Sequence, residues 1–453
     1  MNKILIVSHE PISANMAGPP IRMLELARAL SRDFQVTLAA PNRADLPGES
    51  FATARYDDRA LKSLAEDHRV VVIAGFIFPR YPFLRDVSAS LALDVYDPIH
   101  FEFLGLHAGE KTLDQWNGYE EINKNFAEQM REGDFFLCAS EAQRALWIGM
   151  LLANKRVNPA TFAQDRTFRS LIDIVPYGLP GPLPVKKKNV LKGVYPGIGK
   201  DDFVVLWGGG IYDWLDPLTA VRAMALVRKR RPDVKLFFMG CKYPNPKVVM
   251  KSIPETIRLS DSLGLTGESV FFNDWVSYND RADFLLESDV GISLHPESIE
   301  TDFSYRSRIL DYIWAELPII ATRGGALSDV VREKGMGFVV DYNDAEELAE
   351  KLLQTAGKDR VLEEFKTNIK TRRDDFSWDR AAEPLRRFCR NPSKRTDREF
   401  FSVKPAPGAA YYFQRARDIY AAKGGGQVLK SAFLFLARAV NNMMKKIQTS
   451  VSK

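Results

Sequence analysis

The chain has 453 residues, too many for a single core and enough for two domains of ordinary size plus an extension. Its 45% hydrophobic and 27% charged content excludes a disordered, fibrous or membrane-embedded class. The net charge of +5 is mild, and Lys423, Lys430, Arg438, Lys445, Lys446 and Lys453 all follow the last acidic residue, Asp418. The basicity therefore belongs to the tail, and no nucleic-acid partner is expected. Cys138, Cys241 and Cys389 are scattered without metal-ligand spacing and read as reduced thiols. The apolar run at 4–7 is too short for a signal peptide, and no stretch of 18 apolar residues occurs. The expected compartment is the cytoplasm.

In chain order, strand-like runs at 4–7, 35–39, 70–74, 92–95 and 135–139 alternate with helical patterns such as 21–31 and 141–152. Such alternation predicts βαβ units and a parallel sheet, here a first domain over 1–185. Its first strand-to-helix loop ends in Gly18-Pro19-Pro20-Ile21-Arg22. Gly18 and Arg22 either bring backbone and charge to a ligand or form an ordinary Gly-Pro helix start. At the end of the 92–95 strand stands Tyr96-Asp97-Pro98-Ile99-His100. Asp97 and His100 are candidates for acid–base chemistry and for holding a sugar hydroxyl, the other reading being an Asp-Pro turn with a surface His.

Pro/Gly-rich residues 175–184, followed by Lys186-Lys187-Lys188, mark a boundary. Strand runs then resume at 203–207, 235–239, 270–272, 290–293, 319–321 and 337–340, with helices at 217–231, 281–288, 304–315 and 345–355. This predicts a second doubly wound domain over 186–375, so the fold class is α/β with two Rossmann-like domains facing a cleft. Gly208, Gly209 and Gly210 close the first strand of this series, where a row of N–H groups suits an anion. Asp216-Pro217 behind them is a helix start. The stretch Glu300-Thr301-Asp302-Phe303-Ser304-Tyr305-Arg306-Ser307-Arg308 runs into a helix with Asp311 one turn past Arg308 on the same face. Guanidinium groups at a helix start suit a diphosphate, and a carboxylate one turn on suits ribose hydroxyls. An ordinary surface salt bridge is the alternative. Tyr212, Trp214 and Tyr305 are candidates for stacking on a base. Residues 376–390 read as a closing helix with Trp378, and 391–408 as a linker. The stretch 427–447 forms a basic amphipathic helix pattern that suits an anionic membrane surface, or else docking on this protein or another subunit.

Over residues 1–390 the chain resembles family 4 of the GT-B glycosyltransferases, the group 1 glycosyl transferases. The resemblance rests on Gly18-Pro19-Pro20-Ile21-Arg22-Met23, Cys138-Ala139-Ser140-Glu141, Val175-Pro176-Tyr177-Gly178-Leu179 and Gly208–Gly210. It continues through Ser288-Asp289-Val290-Gly291 and Asp311-Tyr312-Ile313-Trp314-Ala315-Glu316-Leu317-Pro318 to Phe376-Ser377-Trp378. It implies a GT-B fold and retaining, metal-independent transfer from a nucleotide-diphosphate sugar to a glycan or lipid-linked acceptor, with no further cofactor. The implied donor-binding residues are Gly208, Gly209, Gly210, Asp302, Phe303, Ser304, Arg306, Arg308 and Asp311. Asp97 and His100 would be catalytic, with Gly18 and Arg22 on the sugar and acceptor side. Two departures stand out. Asp311 fills the second place of the family's Glu-x7-Glu pattern, but Phe303 stands in the first, with Asp302 or Glu300 as substitutes. The Arg and Lys expected after the glycine loop are replaced by Tyr212, Asp213 and Trp214, leaving Arg306 and Arg308 to supply the charge. The marks Tyr96-Asp97-Pro98, Trp214-Leu215-Asp216-Pro217 and Arg306-Ser307-Arg308 resemble a bacterial cell-surface polysaccharide subgroup, at the inner face of the cell membrane. A catalytically silent partner of a synthase complex is the alternative function, and a sugar-nucleotide epimerase a third.

Overall fold

A computed structural model describes residues 2–397 apart from 75, 76, 108, 110, 244–248 and 358, together with 417, 418, 421 and 422. The sequence-predicted tail helix at 427–447 lies outside the described residues, as does most of 391–453. Both sheets and the closing helices belong to one compact unit that ends at Arg395.

The first sheet is parallel and seven-stranded, in the order β3-β2-β1-β4-β5-β6-β7. Its strands are β1 (Lys3–Val7), β2 (Gln35–Ala40), β3 (Ala52–Arg55), β4 (Val70–Ala74), β5 (Ser90–Asp94), β6 (Phe135–Cys138) and β7 (Ile172–Ile174). The central runs ILIV and VVVIA are buried throughout because helices cover both faces. β3 and β7 are edge strands absent from the sequence reading: Ala-Thr-Ala-Arg and Ile-Asp-Ile carry too little apolar sequence to signal a strand. The second sheet has the order β10-β9-β8-β11-β12-β13, again parallel. It comprises β8 (Phe203–Gly210), β9 (Val234–Gly240), β10 (Val270–Phe272), β11 (Val290–Ser293), β12 (Ile319–Thr322) and β13 (Gly337–Val340). As predicted, the Asp216 side chain caps the next helix, accepting from Thr219 N at 3.0 Å, with Pro217 in the first turn.

Several helix boundaries differ from expectation. The helix predicted at 304–315 runs from Ser307 to Trp314, and a separate short helix, Ile299–Phe303, precedes it. The closing helix is a 3₁₀ turn, Arg373–Phe376, followed by helices Trp378–Ala381 and Glu383–Arg390. These return to the first sheet: Phe388 stacks on Phe135 at 4.8 Å, and Leu179 N donates to Phe376 O at 2.8 Å. Only glycine fits at 178, since a Cβ there would lie 2.8 Å from the Trp378 backbone. The start of the expected linker is also held, because Arg395 binds Asp134 through its N–H and Glu132 through its side chain, both at 2.7 Å.

Arg22 sits at the centre of this junction and is completely buried. Its Nε and Nη2 donate to the two Asp94 carboxylate oxygens at 2.6 and 3.1 Å, and the remaining N–H groups reach Pro176 O (3.1 Å) and Val175 O (2.7 Å). Its guanidinium lies over the rings of Tyr96 (4.6 Å) and Trp378 (5.9 Å). The sequence expectation of a ligand-facing Arg22 is therefore corrected: this cation ties the end of β5, the interdomain crossing and the closing helix together. Arg22→Met leaves Asp94 as an unpaired buried carboxylate, and is expected to lower unfolding stability by about 3–5 kcal/mol in denaturant titration.

Candidate active site

The loops at the carboxyl ends of the two sheets touch. Phe101, on the helix Ile99–Leu106 after β5, stacks on Phe303 at 5.2 Å and 12°. Gln143 Nε2 donates to Tyr96 O and Phe303 O, each at 2.6 Å, and Tyr278 Oη donates to Glu25 Oε1 at 2.9 Å. The sheet ends thus frame a cleft, which is where α/β folds bind ligands.

On the second-sheet side the floor is the end of β8. Its register with β9 shifts between Trp207 and Gly210, and Gly209 is exposed with φ +71°, a left-handed conformation that glycine adopts freely. The expected row of three free amides is corrected. Gly208 N–H donates to Tyr312 Oη at 2.8 Å, and Gly210 pairs with Gly240. Gly209 alone of the three is open to solvent.

Arg308, in the first turn of Ser307–Trp314, reaches under this bulge. Its Nη2 donates to Gly210 O at 2.9 Å and its guanidinium lies 4.9 Å from the Trp207 ring centre. Its Nη1 is buried without a hydrogen-bond partner, and among the described residues no carboxylate forms an ion pair with it. Burial pulls its pKa below the ordinary arginine value, with Arg306 adding to the shift and Tyr312, Tyr212 and Asp311 opposing it. Arg306 differs. Its Nη1 and Nη2 bind Glu300 Oε1 and Oε2 at 3.0 and 2.5 Å, and these side chains are 8% and 4% exposed. Arg306 Nε is also buried without a hydrogen-bond partner, so what sets Arg308 apart from Arg306 is that, among the described residues, it has no ion-paired carboxylate.

Glu300 is likewise spent on Arg306. Asp302 is exposed, Phe303 makes the interdomain stack, and Ser304 Oγ donates to Thr301 O at 3.2 Å. Phe303 and Ser304 thus make contacts within the protein, and the chain from Ile299 to Arg306 is a short helix and a bend rather than the start of the longer helix. Asp311 accepts from Arg281 Nε at 3.2 Å through Oδ1 and keeps 38% of its side chain exposed, so it can still accept a ligand hydroxyl. Beside Gly210, Tyr212 stacks on Trp214 (5.0 Å, 7°), Tyr243 meets Tyr212 edge-on (5.9 Å), and Trp275 follows (6.2 Å). Tyr305 packs instead against the larger hydrophobic core.

On the first-sheet side, burial first and then the neighbouring Asp94 carboxylate push the Asp97 carboxyl up to about 7, against the opposing pull of Tyr96, Arg22 and His9. Glu102 was missed in the sequence. Burial, then Asp97 and Glu300, raise its carboxyl well above the ordinary range, with Arg306 opposing. Its signal was legible: Glu102 is the one acidic residue in the helix sequence IHFEFLGL. His100 is corrected. Its ring lies 4.8 Å from Phe126 and 6.0 Å from Trp147, inside the first-domain core, and burial lowers its pKa to about 4. Gly18 begins the helix Gly18–Leu30, and a Cβ there would lie 3.1 Å from Tyr96 Oη, so this glycine accommodates a tyrosine rather than a ligand. Among the described residues no group of three His, Cys, Asp or Glu side chains could hold a metal ion, and no helix is long and apolar enough to cross a membrane.

Residues 202–357 match the sequence model of the family described as Glycosyl transferases group 1. No curated protein is significantly similar in sequence. Among solved structures, sucrose-phosphate synthase from Thermosynechococcus elongatus is similar at 15% identity and TM-score 0.60, over 86% of this chain and 98% of that one. WaaG, a glycosyltransferase involved in lipopolysaccharide biosynthesis, is similar at 14% identity and TM-score 0.58, over 85% and 98%. Anabaena Alr3699/HepE, solved in complex with UDP-glucose, gives 14% and 0.60, over 85% and 99%. At such identities the likeness establishes architecture: the chain has the GT-B fold, and its second domain carries the match to the group 1 glycosyl transferases.

Proposed function

We propose that this protein is a glycosyltransferase that takes a sugar from a nucleotide-diphosphate donor held by the second domain and delivers it to a glycan or lipid-linked acceptor on the first. The observation that carries this reading is Arg308, a cation with a buried, unpartnered Nη1 and, among the described residues, no ion-paired carboxylate, next to the exposed Gly209 at the end of β8. Such a group is poised for an anion that the protein itself does not provide. The match of residues 202–357 and the UDP-glucose bound to the Anabaena protein support a diphosphate as that anion.

In the proposed reaction the bond from the anomeric carbon to the β-phosphate oxygen breaks, and its electron pair leaves with the nucleotide diphosphate. Arg308 stabilises the charge that develops there, a role that does not call for a metal ion. The acceptor hydroxyl oxygen bonds to the anomeric carbon on the face the diphosphate vacates, and its proton passes to the departing phosphate, giving retention. Asp311 receives ribose hydroxyls, and Tyr212 with Trp275 lies beside the base. Asp97 and Glu102, whose carboxyl pKa values are raised chiefly by burial, stand on the first-domain side as hydrogen-bonding groups for the sugar and acceptor. The setting we propose is bacterial cell-surface polysaccharide synthesis, with the basic amphipathic stretch at 427–447 holding the enzyme on the anionic inner face of the membrane.

A thermal-shift panel of UDP, GDP, dTDP, ADP and CDP is expected to show stabilisation by one nucleotide, unchanged by EDTA. For that nucleotide, Arg308→Ala is expected to raise the dissociation constant at least tenfold in calorimetry, equivalent to about 1.4 kcal/mol or more. Glu300→Gln, by contrast, leaves Arg306 uncompensated and should tighten diphosphate binding or destabilise the fold. Asp97 also sets a pH dependence. Its folded pKa of about 7 lies above the unfolded value near 4, so its contribution is fully present below about pH 4 and is lost as pH rises to about 7. The melting temperature of Asp97→Asn relative to the parent should therefore rise between pH 4 and 7 and level off above.

A further inference from the structure

His295 stands just past β11, in the neighbourhood of the two arginines, and is completely buried. Its backbone N–H reaches Thr322 Oγ1 at 3.3 Å, and its Nε2 lies 3.0 Å from the carbonyl oxygen of Arg323. A carbonyl only accepts, so Nε2 carries the ring proton. Burial, reinforced by Arg306 and Arg308, holds the imidazole neutral, with its pKa lowered to about 3 despite the Arg323 carbonyl. Nδ1 is therefore a bare acceptor, and it is buried without a hydrogen-bond partner. Neither guanidinium donates to it, and its ring neighbour Tyr342 lies 6.0 Å away with its hydroxyl turned toward Gly324.

A buried acceptor left bare is unfavourable unless something donates to it. The diphosphate of a nucleotide sugar is esterified at both ends and fully ionised near neutral pH, so it has no proton to offer and cannot be that donor. The sheet order decides which other part of a nucleotide sugar comes close. The Tyr212–Trp275 aromatics follow β8 and β10, Gly209 and Arg308 mark β8, and His295 follows β11 on the far side of β8. A nucleotide with its base at the aromatic end and its diphosphate at Arg308 extends its sugar toward β11 and β12. Resting on the donor-site reading above, we propose that His295 is a specificity-determining residue whose Nδ1 accepts a hydrogen bond from one hydroxyl of the transferred sugar. The site selects sugars that carry that hydroxyl and rejects those in which it is missing or acylated, because the acceptor would then stay buried and unpaired.

The test compares binding of UDP, GDP and dTDP with that of UDP-glucose, GDP-mannose and dTDP-glucose to the full chain by calorimetry. His295→Phe fills the same space without a lone pair. It is expected to keep affinity for the free nucleotide diphosphate within about twofold and to lose at least tenfold for the matching nucleotide sugar. His295→Gln, which keeps a donor for the Arg323 carbonyl and an acceptor for the sugar, should recover most of that loss. In a series of 2-, 3-, 4- and 6-deoxy donors, one analogue should bind the parent at least tenfold more weakly, with no further loss in His295→Phe. Equal losses for nucleotide and nucleotide sugar, or no loss for either, would overturn the assignment. Should His295→Phe not fold, the deoxy series on the parent and His295→Gln decides, and a flat series overturns the assignment. If the parent binds none of the nucleotide diphosphates, the donor-site reading itself falls and takes this proposal with it.

Discussion

The buried hydroxyl of Tyr312 fixes the geometry of the second domain's site. It accepts from Gly208 N–H at 2.8 Å and lies 2.8 Å from Ile292 O, its own acceptor, so one side chain joins the ends of β8 and β11. The ring fills the space above two glycines: a Cβ would lie 3.0 Å from it at Gly208 and 2.6 Å at Gly291. Glycine at those positions is thus a packing requirement as much as a backbone one. Because Tyr312 is anchored, Arg308, four residues earlier on the same helix face, is delivered under the carbonyl of Gly210. The bulge, the exposed Gly209 and the cation form one construction rather than three features.

Charge is distributed unevenly around that construction. Arg22 with Asp94 and Arg306 with Glu300 are closed pairs whose hydrogen bonds hold loops and domains in register. Arg281 divides itself between Asp311 and the rings of Tyr278 (3.6 Å) and Trp314 (4.6 Å), at the contact between domains. Arg308, among the described residues, has no carboxylate ion-paired with it. Across the cleft, burial raises the pKa of the Asp97 and Glu102 carboxyls, that of Asp97 to about 7. An anion attracted to Arg308 therefore meets carboxyls whose ionisation burial disfavours.

Much of the fold was legible because buried parallel strands are nearly continuous apolar runs, as in the ILIV of β1 and the VVVIA of β4. Ala-Thr-Ala-Arg at β3 was not, since an edge strand has no such requirement. At the site, the position of the glycine loop and of Arg308 could be read from local order. The occupation of the Gly208 amide could not, because its partner Tyr312 is 104 residues away. Likewise Arg306 and Arg308 are alike in sequence, and only the fold shows that Glu300 neutralises one of them. His100 and Glu102 show the same limit at short range. Two residues apart on one helix, they have different surroundings, His100 lying against Phe126 and Trp147 and Glu102 within reach of the charges of Asp97, Glu300 and Arg306.

The most direct test of the account is a crystal structure of the full chain soaked with the nucleotide diphosphate that stabilises it. The account predicts a phosphate oxygen within hydrogen-bond distance of Arg308 Nη1 and of the Gly209 loop, and the base beside Tyr212 and Trp275. A nucleotide bound elsewhere, with Arg308 Nη1 still unpartnered, would contradict it.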